Sequence, residues 1–390
     1  MEYVFLEIGF AIIGATLFGV IEYSLRQPLI LAYIITGFVL GPALLDILGG
    51  REIIDLFSTI GIAFLLFIVG IELNIDRIRE VGVRALGISI VQIALTGVLG
   101  YALSLLLGFS YLVSGYIGLL LTFSSTVIVV KLFSEKKALL SLHGKIVMGV
   151  LIVQDIVALL ALVLLSGIQY SDTLSGILLL EVLARGVALS VVVYFISRIV
   201  LQRLFRYIAH SLELIFITSI AWCLAVAGIF MIGGFSIEMG AFIAGITIAG
   251  LPYSEEIGLK LSPLRDFFLI LFFVALGMQI DFSHIVTLII PIVSLVLFVA
   301  IIKPLIILTT MGVMGFARRT SFYTALSLGQ VSEFSLIVVA LAFTMGHIGT
   351  DVVSLVIITT LITILTSSYA ITFLGNIYSY FQKALRIFER

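Results

Sequence analysis

Long apolar runs divided by short polar breaks dominate the chain. A helix crosses the bilayer hydrocarbon in roughly 17–25 apolar residues, and on that pattern the sequence predicts thirteen spanning helices. They fall at 4–24, 29–48, 56–73, 83–107, 112–131, 145–167, 175–200, 212–231, 233–250, 265–281, 285–315, 322–346 and 351–378. The connections are short, and no stretch has the pattern of a soluble domain. The expected fold is an all-α membrane protein.

Composition agrees: 62% of residues are hydrophobic and only 11% are charged, against about 25% charged in soluble domains. The net charge of −1 says less than where the charges sit. With the N-terminus outside, the cytoplasmic side collects Arg26, Arg77, Arg79, Arg84, Lys131, Lys136, Lys137, Lys145, Arg198, Arg203, Arg206, Lys260, Arg265, Arg318, Arg319, Lys383, Arg386 and Arg390. The outer side then holds only Arg51, while Arg185 and Lys303 lie inside helices. Basic residues gather on the cytoplasmic side of membrane proteins, so this alternation supports thirteen crossings, an outer N-terminus and a cytoplasmic C-terminus. The start lacks a basic n-region and a small-residue cleavage site, so residues 4–24 read as a mature helix. Cys223 is the only cysteine, which excludes an intrachain disulfide or thiol cluster. The four histidines fall in or beside loops, where none is a midplane proton carrier.

Two apolar segments carry polar interruptions. The fifth contains Thr122-Phe123-Ser124-Ser125-Thr126, and the twelfth Gly329-Gln330-Val331-Ser332-Glu333. Interrupted helices at matching places of inverted repeats are typical of secondary transporters. Six helices, an even number, lie between these two, so they run in opposite senses. The repeats would be the second to sixth and the ninth to thirteenth helices.

The chemistry centres on Asp155, in the middle of the uncharged apolar stretch from Gly144 to Gly167. A carboxylate at bilayer depth costs roughly 2.5–3.5 kcal/mol on insertion scales, and such residues mark functional sites. Asp155 is expected to bind a proton or an alkali cation, never both. Its neighbour Gln154 offers a carbonyl oxygen. Ser124, Ser125 and Thr126 offer hydroxyls and, if the helix is unwound there, free backbone carbonyls. Each has a plainer alternative, since Ser, Thr and Gln also glue transmembrane helices together. Lys303, followed by Pro304, needs a partner: either Asp155 or a carbonyl where the interrupted helices meet. Thr122, Gln330, Ser332 and Glu333 are candidates for the pathway or the helix crossing. Glu181 and Arg185, four apart, read as a structural pair. Glu72, Glu238 and Asp281 read as interfacial.

These residues resemble the second cation:proton antiporter family, especially its Kef-type potassium branch and its bacterial sodium/proton relatives. The matching text is IGIAFLLFIVGIEL (60–73), LTFSSTVIVVKLF (121–133), LIVQDIVALL (151–160), IEMGAFIAGI (237–246), FFLILFFVALGMQID (267–281) and LGQVSEFSLIVVALA (328–342). The resemblance implies two crossed interrupted helices and a core ion-transport domain at about 56–167 and 265–346 with 351–378. It also implies a dimerisation domain at about 4–48 and 212–250, with 175–200 as the linking helix. Asp155 matches the family's ion-binding aspartate. Gln154 matches the position where sodium-selective electrogenic members carry Asp or Asn and Kef-type members carry Gln. Ser124, Ser125 and Thr126 match the unwound stretch, and Lys303 a basic residue that pairs with the aspartate in some members. Kef-type systems usually carry a cytoplasmic nucleotide-binding domain that this sequence lacks. A regulatory domain or separate regulatory subunit is therefore an open expectation.

The expected function is antiport of K⁺ or Na⁺ against H⁺ in the cell membrane, by elevator-type alternating access in a homodimer. No cofactor beyond the transported ions and no nucleic acid is expected. The competing class is a pH-gated cation channel, disfavoured because nothing supplies a symmetric ring of filter carbonyls. An intramembrane hydrolase would need a second catalytic Asp, or a Ser with a membrane His, and the sequence offers neither.

Overall fold

The computed structural model describes residues 2–25, 27–48, 51–72, 82–168, 176–208, 210–251, 253–281 and 285–382. Arg26, Arg77, Arg79, Lys383, Arg386 and Arg390, part of the charge pattern above, lie outside the described residues, as do the side chains of Arg51, Glu72 and Glu181. The expected Glu181–Arg185 pair therefore lies outside them too.

Every regular element among the described residues is helical. In chain order they are α1 (Glu2–Ser24), α2 (Leu29–Leu40), α3 (Arg51–Glu72), α4 (Val83–Leu106), α5 (Tyr111–Thr122), α6 (Thr126–Glu135), α7 (Leu142–Ile168), α8 (Gly176–Ile196) and α9 (Gln202–Ile208). Then follow α10 (Leu212–Ile232), α11 (Ile237–Ala249), α12 (Ser254–Met278), α13 (Ile285–Leu297), α14 (Lys303–Val313), α15 (Arg318–Ser327), α16 (Glu333–Thr344), α17 (Thr350–Thr372) and α18 (Leu374–Phe381). Nine segments among the described residues are long and apolar enough to cross a membrane. Shorter apolar helices at Leu29–Leu40, Thr59–Ile71, Ile237–Ala249 and Glu333–Thr344 fall at the other four expected positions.

Several boundaries differ from expectation for local reasons. α2 stops at Leu40 rather than running to 48. Pro42 lacks an N–H and biases Gly41 away from helical geometry. The chain then turns back, and the N–H groups of Leu45, Ile47 and Leu48 cap the last carbonyls of α2. The helix expected at 175–200 continues through a π turn, Ser197–Leu201, into α9. A second π turn, Phe298–Ile302, joins α13 to α14. Pro304 explains it: a proline ring crowds the carbonyl four residues back. The wider turn lets the Lys303 N–H bond Phe298 O instead.

The chain forms two compact units, residues 1–20, 32–77 and 160–278 in the first, and 21–31, 78–159 and 279–390 in the second. In the first, α3 packs along α11 and α12. Lipid tails are as apolar as leucine, so close packing rather than water exclusion drives such contacts. Glycine permits the approach: a Cβ on Gly245 would collide with Phe67 O, and one on Gly70 would come within 2.5 Å of Phe242 O. Around this crossing lie Phe67, Ile68, Val226, Phe230 and Ile248, all essentially without exposed surface. In the second unit α4 packs on α5 and α14, and α17 on α13, α15, α16 and α6. The candidate chemistry belongs to this second unit.

Candidate functional site

Two helices in the second unit are interrupted. The first break comprises Phe123, Ser124 and Ser125, between α5 and α6, and the second runs from Leu328 to Ser332, between α15 and α16. Thr126 and Glu333 are the first residues of the half-helices that follow, rather than part of the unwound stretches. A serine opens each of these halves: Ser125 Oγ accepts from the Ile128 N–H and Ser332 Oγ from the Phe334 N–H. Such caps satisfy donors that a helix start leaves free.

Breaking a helix in hydrocarbon strands backbone groups that must find other partners. Around the first break side chains supply them. Ser335 Oγ donates to Leu120 O at 2.8 Å, and Gln92 Nε2 to Thr122 O at 3.0 Å. Lys303 Nζ donates to Phe123 O at 2.8 Å, and the Ser124 N–H donates to Gln154 Oε1 at 2.9 Å. The Glu333 carboxylate lies near the Ser125 hydroxyl and the Val127 N–H in the first turn of α6.

Lys303 is fully buried, and its ammonium also donates to Gln330 O in the second break at 2.9 Å. Of the two partners considered from sequence, the geometry selects the carbonyls. No ion pair joins Lys303 to Asp155 among the described residues. Ser124 Oγ donates to Leu328 O at 3.0 Å, so the breaks are tied directly as well as through the lysine. In the second break Gln330 Oε1 accepts from Ser367 Oγ at 2.6 Å, and the Val331 N–H donates to Thr363 Oγ1 at 3.2 Å. Thr122 Oγ1 turns back to Leu119 O at 2.6 Å, so this residue serves the site through its carbonyl.

Asp155 lies midway along α7 and is partly buried. Its Oδ2 accepts from Thr126 Oγ1 at 2.8 Å, which sets the carboxylate against the first residue of α6. The positive end of a half-helix favours a negative charge there. Glu333, 8% exposed, is close enough for its charge to act on Asp155, and its Oε2 has no hydrogen-bond partner among the described residues. The oxygens gathered here (carboxylates, hydroxyls and carbonyls) are hard donors suited to cations such as Na⁺ or K⁺.

The family model described as "Sodium/hydrogen exchanger, transmembrane" matches residues 9–376. The chain belongs to that family. Among its relatives, K(+) efflux antiporter 4 of Arabidopsis thaliana is 28% identical over 91% of this chain and 61% of its own length. The glutathione-regulated potassium-efflux system protein KefC of Klebsiella pneumoniae is 32% identical over 83% of this chain and 53% of its own length. The chain thus spans between half and two thirds of these relatives. The solved structure of the sodium proton antiporter MjNhaP1 from Methanocaldococcus jannaschii superposes with a TM-score of 0.69, covering 95% of this chain and 97% of that one. At 20% identity that likeness is one of fold. The Kef-type resemblance seen in the motifs and the antiporter fold are therefore both found, in a multi-pass membrane protein.

Several buried residues of the site escaped the sequence reading: Gln92, Ser335, Thr363 and Ser367. Gln92, fully buried within α4, accepts from Gln154 Nε2 at 2.6 Å and donates to Thr96 Oγ1 at 3.1 Å as well as to Thr122 O. Its signal was a lone glutamine inside an apolar span, with a threonine one helical turn later.

Proposed function

We propose that the protein is a secondary active antiporter, exchanging K⁺ or Na⁺ for H⁺ at Asp155. The observation that carries this is the position of the Asp155 carboxylate, held by Thr126 at the start of α6 beside two interrupted helices that bond to one another. A carboxylate there takes one positive passenger at a time. When a proton leaves, a cation can enter. Either occupant cancels the charge, whereas the empty ionised site would carry a bare carboxylate through hydrocarbon, at roughly 2.5–3.5 kcal/mol on insertion scales. That penalty couples the two fluxes.

Thr126, Ser124 and Ser125 are the proposed oxygen ligands around the cation, with Gln154 behind them. Lys303 is proposed as the lock between the two breaks. Its ammonium donates to Phe123 O and Gln330 O and makes no ion pair with Asp155. This favours one proton per cation. Were Lys303 to release a second proton, voltage would bias the cycle by about 2.3 kcal/mol per net charge per 100 mV. Further proposals are an elevator-type movement of the transport core, assembly as a homodimer, thirteen crossings with the N-terminus outside, and control by a regulatory domain or subunit.

The test is proton flux in proteoliposomes with Li⁺, Na⁺, K⁺ and Rb⁺ in turn. Wild-type protein should move protons only when a transported cation is present on the opposite side. Asp155→Asn should lose that flux while unfolding at an unchanged temperature. Cation-driven proton flux retained by the variant would reject the assignment. Cation passage without any proton movement would point to a channel.

A further inference from the structure

Gln92 and Gln154 form an amide pair whose polarity is fixed from both ends. The Ser124 N–H requires an acceptor, so Gln154 presents Oε1 to it, and the Thr122 carbonyl requires a donor, so Gln92 presents Nε2. What remains, Gln154 Nε2 and Gln92 Oε1, is a matched donor and acceptor, 2.6 Å apart. The pair therefore runs from Thr122 O to Ser124 N, across Phe123, and stands in for backbone bonds that the break removed. A primary amide or a protonated carboxylic acid can donate with one atom and accept with the other at such a link, which an apolar side chain of the same length cannot do. Both side chains are fully buried, so water does not compete for them.

Gln154 immediately precedes Asp155 on α7, and Ser124 lies two residues before Thr126, whose hydroxyl holds the aspartate. A shift of the amide pair would move both the carboxylate and its hydroxyl partner. Resting on the proposed exchange at Asp155, we infer that Gln92 is a positioning residue that sets cation affinity and selectivity, by clamping Gln154 and the first helix break in the spacing that the transported cation fits. Thr96 steadies it from one turn away.

The experiment uses the full chain in proteoliposomes, comparing wild type with Gln92→Met and Gln92→Glu across the four alkali cations and a range of pH. Gln92→Met keeps the side-chain length and removes both polar atoms. Its cation KM should rise roughly tenfold, with the maximal rate changed far less and the ranking of the cations flattened. Gln92→Glu restores the link only while the introduced acid is protonated, when its hydroxyl donates to Thr122 O and its carbonyl oxygen accepts from Gln154. Exchange relative to wild type should be near normal at acidic pH and fall as pH rises. Should Gln92→Met not be recovered as folded protein, the pH profile of Gln92→Glu decides the matter.

Wild-type KM and ranking in both variants at every pH would overturn the inference, leaving the exchange itself standing. So would a lower maximal rate with KM and ranking intact, the mark of a merely structural role. If wild-type protein exchanges no cation for protons, the proposed function falls first and this inference with it.

Discussion

The two units share close apolar packing and differ in what else lies inside them. In the first, α3, α11 and α12 meet through glycines and a dry apolar cluster around Phe67 and Phe230. In the second, the buried surface carries Gln92, Ser124, Gln154, Lys303, Gln330 and Glu333, joined by side-chain bonds to backbone groups that two broken helices set free. Close packing costs nothing electrostatically but offers no chemistry. A polar interior costs desolvation, and in exchange it provides a place where an ion can shed its water. The proposed exchange site lies in the second unit, and the expected consequences of substitution differ between the two.

Lys303→Met should produce the largest loss of stability. It leaves Phe123 O and Gln330 O without their donor. An orphaned buried polar group costs about 1–3 kcal/mol, and relief from burying the ammonium offsets part of that. A net loss of about 2–4 kcal/mol is expected, read as a lowered unfolding temperature in detergent, together with loss of exchange. Unchanged stability would mean that the lysine does not lock the breaks.

Gly245→Val, in the first unit, sharpens the contrast. The added side chain meets Phe67 O, and overpacking of this kind costs about 1–3 kcal/mol. The unfolding temperature should fall, yet the protein that remains folded should keep the wild-type ranking of Li⁺, Na⁺, K⁺ and Rb⁺. A changed ranking would show that selectivity is not confined to the second unit.

Ser335→Ala is the smallest of the three. It removes the donor to Leu120 O, a single bond worth about 0.5–1.5 kcal/mol. Leu120 lies one turn before the break, so a modest loss of both stability and transport rate should appear in the same flux and melting assays. An effect as large as that of Lys303→Met would mean that the hydroxyl, rather than the ammonium, joins the two helices.

Much of this was legible in the sequence, and what was not follows from physical causes. Apolar length located the helices, because crossing hydrocarbon demands it. The breaks were legible from serines and a glycine in the middle of apolar runs, though Thr126 and Glu333 prove to open half-helices rather than to lie in the gaps. Asp155 stood out because a lone acid in such a run is costly. The partner of Lys303 was open between the aspartate and a carbonyl, since sequence does not reveal where a long side chain ends. The π turn ahead of it came from Pro304, a local signal whose result is a change of register rather than a helix end. Gln92 went unremarked because a single uncharged amide in an apolar span resembles ordinary interhelical glue. Its meaning comes from Gln154, 62 positions away along the chain.

The serine of each broken helix reaches a carbonyl of the other: Ser124 to Leu328, and Ser335 to Leu120. Such a reciprocal handshake leaves neither partner free to slide past its mate without rupturing both grips at once in a dry interior. A moving core of the kind proposed would therefore carry the crossing as one stiff cassette, with the yielding joints placed beyond its edges.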